Sequence, residues 1–159
     1  MQVGDTITVT ISGGTRSRWA LQADAFDDVN VSPLDKTATT GNTAPASTNL
    51  TTGTTAATAQ DDELVYAIFG FGADRTVTIP DGWNGGPKVE TSADSADRGL
   101  QVIHRYVSAI GTQEGTLTLS TSSTYAAAIA TYRATPVVGD PFVDVTRLRM
   151  LLPAAGEGP

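Results

Sequence analysis

The groups in this chain that could do acid–base or metal chemistry are 17 carboxylates and one histidine, spread over 159 residues. Two acidic clusters stand out: Asp24, Asp27 and Asp28, and then Asp61, Asp62 and Glu63 just ahead of an apolar run. A hard cation such as calcium takes several oxygen ligands at one point, so these clusters would bind one only if the fold joined them. Their spacing follows no calcium loop, and acids at strand ends are ordinarily solvated, so no metal is expected. The same carboxylates invite a glycosidase reading, which needs two carboxyls flanking a sugar, yet nothing in the spacing selects one pair. His104 is the lone histidine, and cysteine is absent. Zinc sites and histidine-based triads therefore lack their parts, and a single histidine in a strand reads as structural. The expectation is a chain with no enzymatic activity, no catalytic residues and no cofactor.

Trp83, in 80–83 (PDGW), is the candidate ligand-binding side chain. A turn aromatic either caps the core or offers a stacking face to a sugar ring. Asn30-Val-Ser32 and Asn49-Leu-Thr51 match the N-glycosylation pattern. They read as chance matches, because 1–7 (MQVGDTI) lacks the basic and apolar regions of an export signal. Gly13-Gly14 and Gly85-Gly86 lack the following helix of a phosphate-binding loop and read as turns. The net charge of −7 makes the surface acidic. Such a surface repels phosphate, so nucleic acid is not an expected partner. No apolar run reaches the roughly 18 residues of a membrane span, so no membrane partner is expected either.

What positions these groups is a β-architecture. Aromatics make up only 6% of the chain, so the core must be built from Val, Ile, Leu and Ala, while abundant Thr suits pleated strands. Residues 6–11 (TITVTI) alternate polar and apolar, the period of a half-buried strand. Residues 18–26 (RWALQADAF) alternate again and predict a strand with Trp19, Leu21, Ala23 and Ala25 on one face. From 27 to 48 the pattern fails, which predicts an excursion draped over the sheet with a short strand near 35–40. The Thr-rich 48–58 is weakly signalled as a further strand. The near-continuous run 64–71 (LVYAIFGF) predicts a central strand buried on both faces. Strands over 76–80, 88–92, 99–107, 115–120 and 125–133 complete the set, with turns near Asp81-Gly82 and Gly111. The predicted fold class is all-β, a two-sheet antiparallel jelly-roll-like sandwich over 1–134. Residues 135–159 change character, with prolines at 136, 141, 153 and 159 around 148–152 (LRMLL), and predict an extended C-terminal arm.

Six stretches carry a resemblance: 33–37 (PLDKT), 51–55 (TTGTT), 62–65 (DELV), 79–83 (IPDGW), 106–112 (YVSAIGT) and 125–131 (YAAAIAT). In this order they resemble a jelly-roll β-sandwich module of tailed-phage virion proteins that also occurs in some bacterial surface proteins. The likeness spans most of 5–134 and rests on turns and core strands, so it carries no catalytic residues. It implies a virion location and a structural role, such as capsid decoration or a tail component, in contact with other virion subunits. The arm lies outside the resemblance, and its own composition points the same way. Burying Phe142, Val143, Leu148, Met150, Leu151 and Leu152 on a neighbour would contribute about 1.5–3 kcal/mol each, giving a homo- or hetero-oligomer. The alternative is a carbohydrate-binding module or receptor-binding adhesin. That reading requires Trp83, Trp19 or a tyrosine in a shallow groove beside acidic or amide groups. A hydrolase would instead require two carboxylates facing each other across a cleft.

Overall fold

The computed structural model describes residues 8–10, 20–72, 75–91 and 98–135, with the backbone alone at 43. Seven strands are present: β1 (Val29–Thr54), β2 (Asp62–Gly72), β3 (Val77–Thr78), β4 (Asn84–Gly85), β5 (Val89–Glu90), β6 (Arg98–Ser108) and β7 (Glu114–Ala134). Every pairing is antiparallel, and no helix occurs among the described residues. The strands form one open sheet in the order β1-β7-β2-β6-β4, with β3 on β7 and β5 on β6. The all-β expectation therefore holds.

The apolar run 64–71 becomes β2, hydrogen-bonded to β6 along its whole length and to β7 from Glu63 to Phe71. Val65, Ala67, Phe69 and Phe71 alternate onto one face and build the core with Ile103, Ala127 and Ile129 from the flanking strands. Leu50, Leu117 and Leu119 join them from the distant halves of β1 and β7. Those halves reach the core because β7 changes partners along its length. Leu119 and Thr118 pair with β3, whereas the stretch from Tyr125 to Arg133 pairs with β2, and β1 stays alongside throughout. The first half of β7 consequently lies across the core face of β2 without bonding to it. A Cβ placed on Gly115 would come 2.9 Å from the Ala67 methyl and 3.4 Å from the Phe69 ring. The crossover is pinned at Ser123, whose hydroxyl accepts the Gly72 N–H at 2.9 Å. In β1 the register shifts between Asn42 and Asn49, around Pro45, which has no N–H to give the ladder.

Residues 29–48 are not a draped excursion but the first part of β1, and the short strand expected near 35–40 lies within it. An edge strand bonded on one side needs no apolar face. Its threonines therefore alternate with nothing, and the period-2 signal that marks half-buried strands is missing. Pro33 and Pro45 sit where its register slips, between Val29 and Leu34 and between Asn42 and Ser47. Strand character runs on through Thr54 and then stops. Beyond it, Thr55 and Thr58 hold the chain against Gln113 and Gly111 through their N–H and hydroxyl groups. The two strands expected over 115–120 and 125–133 are one, β7. Residues 20–26 form no strand. Leu21 is exposed, and Gln22 and Phe26 turn toward the sheet in place of the face carrying Leu21, Ala23 and Ala25. Residues 8–10, from the first expected strand, carry no strand either. The rest of that strand, Trp19 and the arm from 136 onward lie outside the described residues.

The close approach of β7 to β2 makes Gly115 a sensitive position. Gly115→Val is expected to lower stability by about 1–3 kcal/mol through overpacking. Gly111→Ala, which meets no atom within 4 Å, is expected to be near neutral. Urea denaturation of the two variants measures both, and equal midpoints would remove this packing from the account.

Candidate functional site

The two acidic clusters do not meet. Asp24 is exposed and accepts the Tyr66 hydroxyl at 2.5 Å and the Gln22 amide at 3.2 Å. Asp27 and Asp28 are exposed as well, and the Asp28 backbone turns into β1 with a φ of 60°. Asp61 accepts the N–H of Asp62 at 3.1 Å. Glu63 points the other way, into the interior, where it is 1% exposed. No group of three or more acids and histidines able to hold a metal ion occurs among the described residues.

Glu63 instead meets a residue that sequence reasoning passed over. Asp35, from β1, has a side chain with no solvent exposure. Its carboxylate accepts the Arg133 guanidinium at 2.5 Å, the Lys36 ammonium at 3.1 Å and the Ala59 N–H at 2.7 Å. Burial pushes the Asp35 carboxyl up. The Ala59 N–H, Arg133, Lys36 and Glu63 together outweigh that push and hold it well below the usual range. Glu63 moves the opposite way, raised by burial first and then by the neighbouring Asp35. Neither Glu63 oxygen has a hydrogen-bond partner among the described residues. Burial and the neighbouring Asp35 both favour its neutral form, and the Thr131 hydroxyl stands beside it. Thr131 Oγ1 in turn accepts the Lys36 N–H at 3.1 Å. The pair thus ties β1, the loop after Thr54, β2 and β7 into one knot. Sealed from solvent, it gives a substrate no point of attack.

Trp83 packs against the core, and the Arg105 guanidinium lies 4.4 Å above its ring. Arg105 also donates to Gln113 at 2.9 Å, and burial lowers its pKa. One face of the indole is therefore occupied from within the chain. His104 is half-buried opposite Tyr66, with the Phe26 ring edge-on at 5.2 Å.

The open chemistry lies on the outer face of the sheet. Register places Leu34, Tyr132, Leu64 and Tyr106 side by side across β1, β7, β2 and β6. Tyr106 is 66% and Leu34 55% exposed. The 20–26 segment lies beside this row, Phe26 meeting Tyr66 edge-on at 5.8 Å, and a groove of about 400 Å³ results. Gln22, Asp24, Phe26, Val29, Tyr66 and Tyr132 line it. Burial, then the Asp24 carboxylate, raises the Tyr66 pKa, so the phenol stays protonated and donates to Asp24. Tyr66 and Tyr132 fall within the strands expected over 64–71 and 125–133, but the first strand is expected to be buried on both faces, whereas Tyr66 is half-exposed. Their alignment with Leu34 could not be read without the pairing of β1. Comparison with known proteins returns no matching family model, no matching characterised protein and no matching solved structure.

The acid pair makes stability depend on pH in a defined sense. Folded Glu63 holds its proton more tightly than the unfolded chain does. Its contribution is therefore complete below the ordinary value of 4.5 and is lost as pH rises through the raised folded value. Asp35 contributes above 3.8 and loses that contribution as pH falls through its lowered value. Urea midpoints at about pH 5 and about pH 8 are expected to fall further in the parent chain than in Glu63→Gln, whose amide donates at both. Equal falls would mean that Glu63 does not carry the proton.

Proposed function

We propose that this chain is a non-enzymatic structural protein of a tailed-phage virion, a capsid decoration or tail-associated subunit that joins its neighbours through its C-terminal arm. The observation that carries the reading is where the arm departs. Thr135 donates its N–H to the Asp28 carbonyl at 2.8 Å, at the end of the sheet that bears the exposed Leu34 and Tyr106. The proline-punctuated sequence that follows Thr135 therefore begins beside an apolar surface, which suits a subunit that lies across its neighbour. The resemblance of 5–134 to a virion module supports the same reading. The crossing of β7 over β2, which sets part of one strand against the face of another, is compatible with it.

A second reading, a carbohydrate-binding module or adhesin, is favoured by one observation. The groove sets Phe26, Tyr66 and Tyr132 beside a carboxylate and an amide, a combination that suits a sugar ring.

Removal of residues 136–159 separates the two. Under the assembly reading the shortened chain keeps its β circular dichroism and no longer joins its assembly in sedimentation. Under the glycan reading it still binds on a glycan array. A shortened chain that assembles as before would end the assembly reading.

A further inference from the structure

We infer that the outer-face row and its groove seat residues 147–152 of a second copy's C-terminal arm. This rests on the assembly reading and names its receiving surface.

The surface is apolar with an acidic rim. Leu34, Tyr132, Leu64 and Tyr106 run across four strands, and the outer two stand open to water. Asp24, Asp27 and Asp28 are exposed alongside. The donors to Asp24, Gln22 and Tyr66, are neutral, so they orient its carboxylate without cancelling its charge. A ligand complementary to this surface carries cations interleaved with apolar groups.

The chain's own sequence contains such a segment. Residues 147–152 read RLRMLL. In an extended chain Arg147 and Arg149 share one side, and Leu148 and Met150 the other. The guanidinium groups match Asp24 and the tyrosine rings, which favour arginine through charge-assisted hydrogen bonds and cation–π contact. The apolar side matches Leu34 and Tyr106. A sugar would use the rings and Asp24 but has no use for Leu34, so the whole row favours a peptide over a glycan.

The point of departure favours a neighbour's arm. Val29 and Tyr132 line the groove, and Thr135 lies three residues beyond Tyr132, bonded to Asp28. To fill its own groove the arm would have to reverse at once. Pro136 and Pro141 bias the residues before them toward extended backbone, which disfavours such a reversal. The stretch 135–147 spans up to about 40 Å when extended, enough to reach an adjacent copy.

Charge reversal in the full-length chain tests this. Asp24→Arg alone, and Arg147→Asp with Arg149→Asp, are each expected to weaken self-association in sedimentation by about tenfold or more, and the triple variant to recover it. Because the chain has no cysteine, a second measurement is independent of these variants. Val29→Cys and Leu148→Cys, on separate chains of different tag size, are expected to form a mixed disulfide. Cross-linking only within a chain carrying both would overturn the second-copy assignment. Unchanged association in Asp24→Arg, where removal of 136–159 abolishes assembly, would overturn the groove and leave the assembly reading standing. Unchanged association after that removal would overturn both. A neutral oligosaccharide that quenches tyrosine fluorescence while association is indifferent to Asp24→Arg would give the groove to a glycan instead.

Discussion

The buried Asp35 carboxylate is the contact on which the functional end of this protein depends. β1 is an edge strand with few apolar side chains to bury, so hydrophobic packing alone does little to fix its first part. Asp35 supplies the missing constraint by drawing a guanidinium from β7, an ammonium from its neighbour and an N–H from the loop after Thr54 onto one carboxylate. A charged group is costly to bury unless it is paired and hydrogen-bonded, as Asp35 is. Burial and the neighbouring Asp35 both raise the Glu63 pKa, which favours the neutral acid over a second buried charge. Two neighbouring carboxylates would repel, whereas an acid beside a carboxylate forms a hydrogen bond. Leu34, the first member of the outer row, is adjacent to this knot in the chain.

β7 provides the second constraint. By pairing with β3 at one end and β2 at the other while keeping β1 beside it, the strand lets a single sheet cover its own core. One face of β2 is then closed by Leu50, Leu117 and Leu119. The other face keeps Tyr66, Tyr132 and Tyr106 only partly covered, beside the segment 20–26. A face that the fold does not close itself is where a partner gains most by binding, since apolar area removed from water is the main favourable term in association.

Much of the core was legible in the sequence. The runs 64–71 and 99–107, the turn at Asp81-Gly82 and the loop at Gly111 carried strong local signals, and each lies where those signals put it. β1 was legible only in pieces, near 35–40 and from 48 on, because a polar edge strand lacks the periodic burial that would have joined them. The union of 114–134 into one strand was hidden by the run of serines and threonines at 120–124, which interrupts the apolar pattern on either side of it. The alternation in 18–26 misled because its small and polar residues fit a strand as well as a segment lying on a sheet. The Asp35–Glu63 pair had no local signature at all. Asp35 sits among polar neighbours, and only the pairing of β1 with β7 brings it under cover. Trp83 drew attention as an aromatic in a turn, yet its ring is stacked against Arg105.

Closure of the outer face by a neighbour's arm is visible to amide hydrogen exchange of the full-length chain, followed from dilute to assembled solution. Residues 22–34, 130–135 and 147–152 are expected to gain protection together as assembly forms, while the β2–β6 core stays as it was. Protection of 147–152 without any change in 22–34 and 130–135 would contradict it.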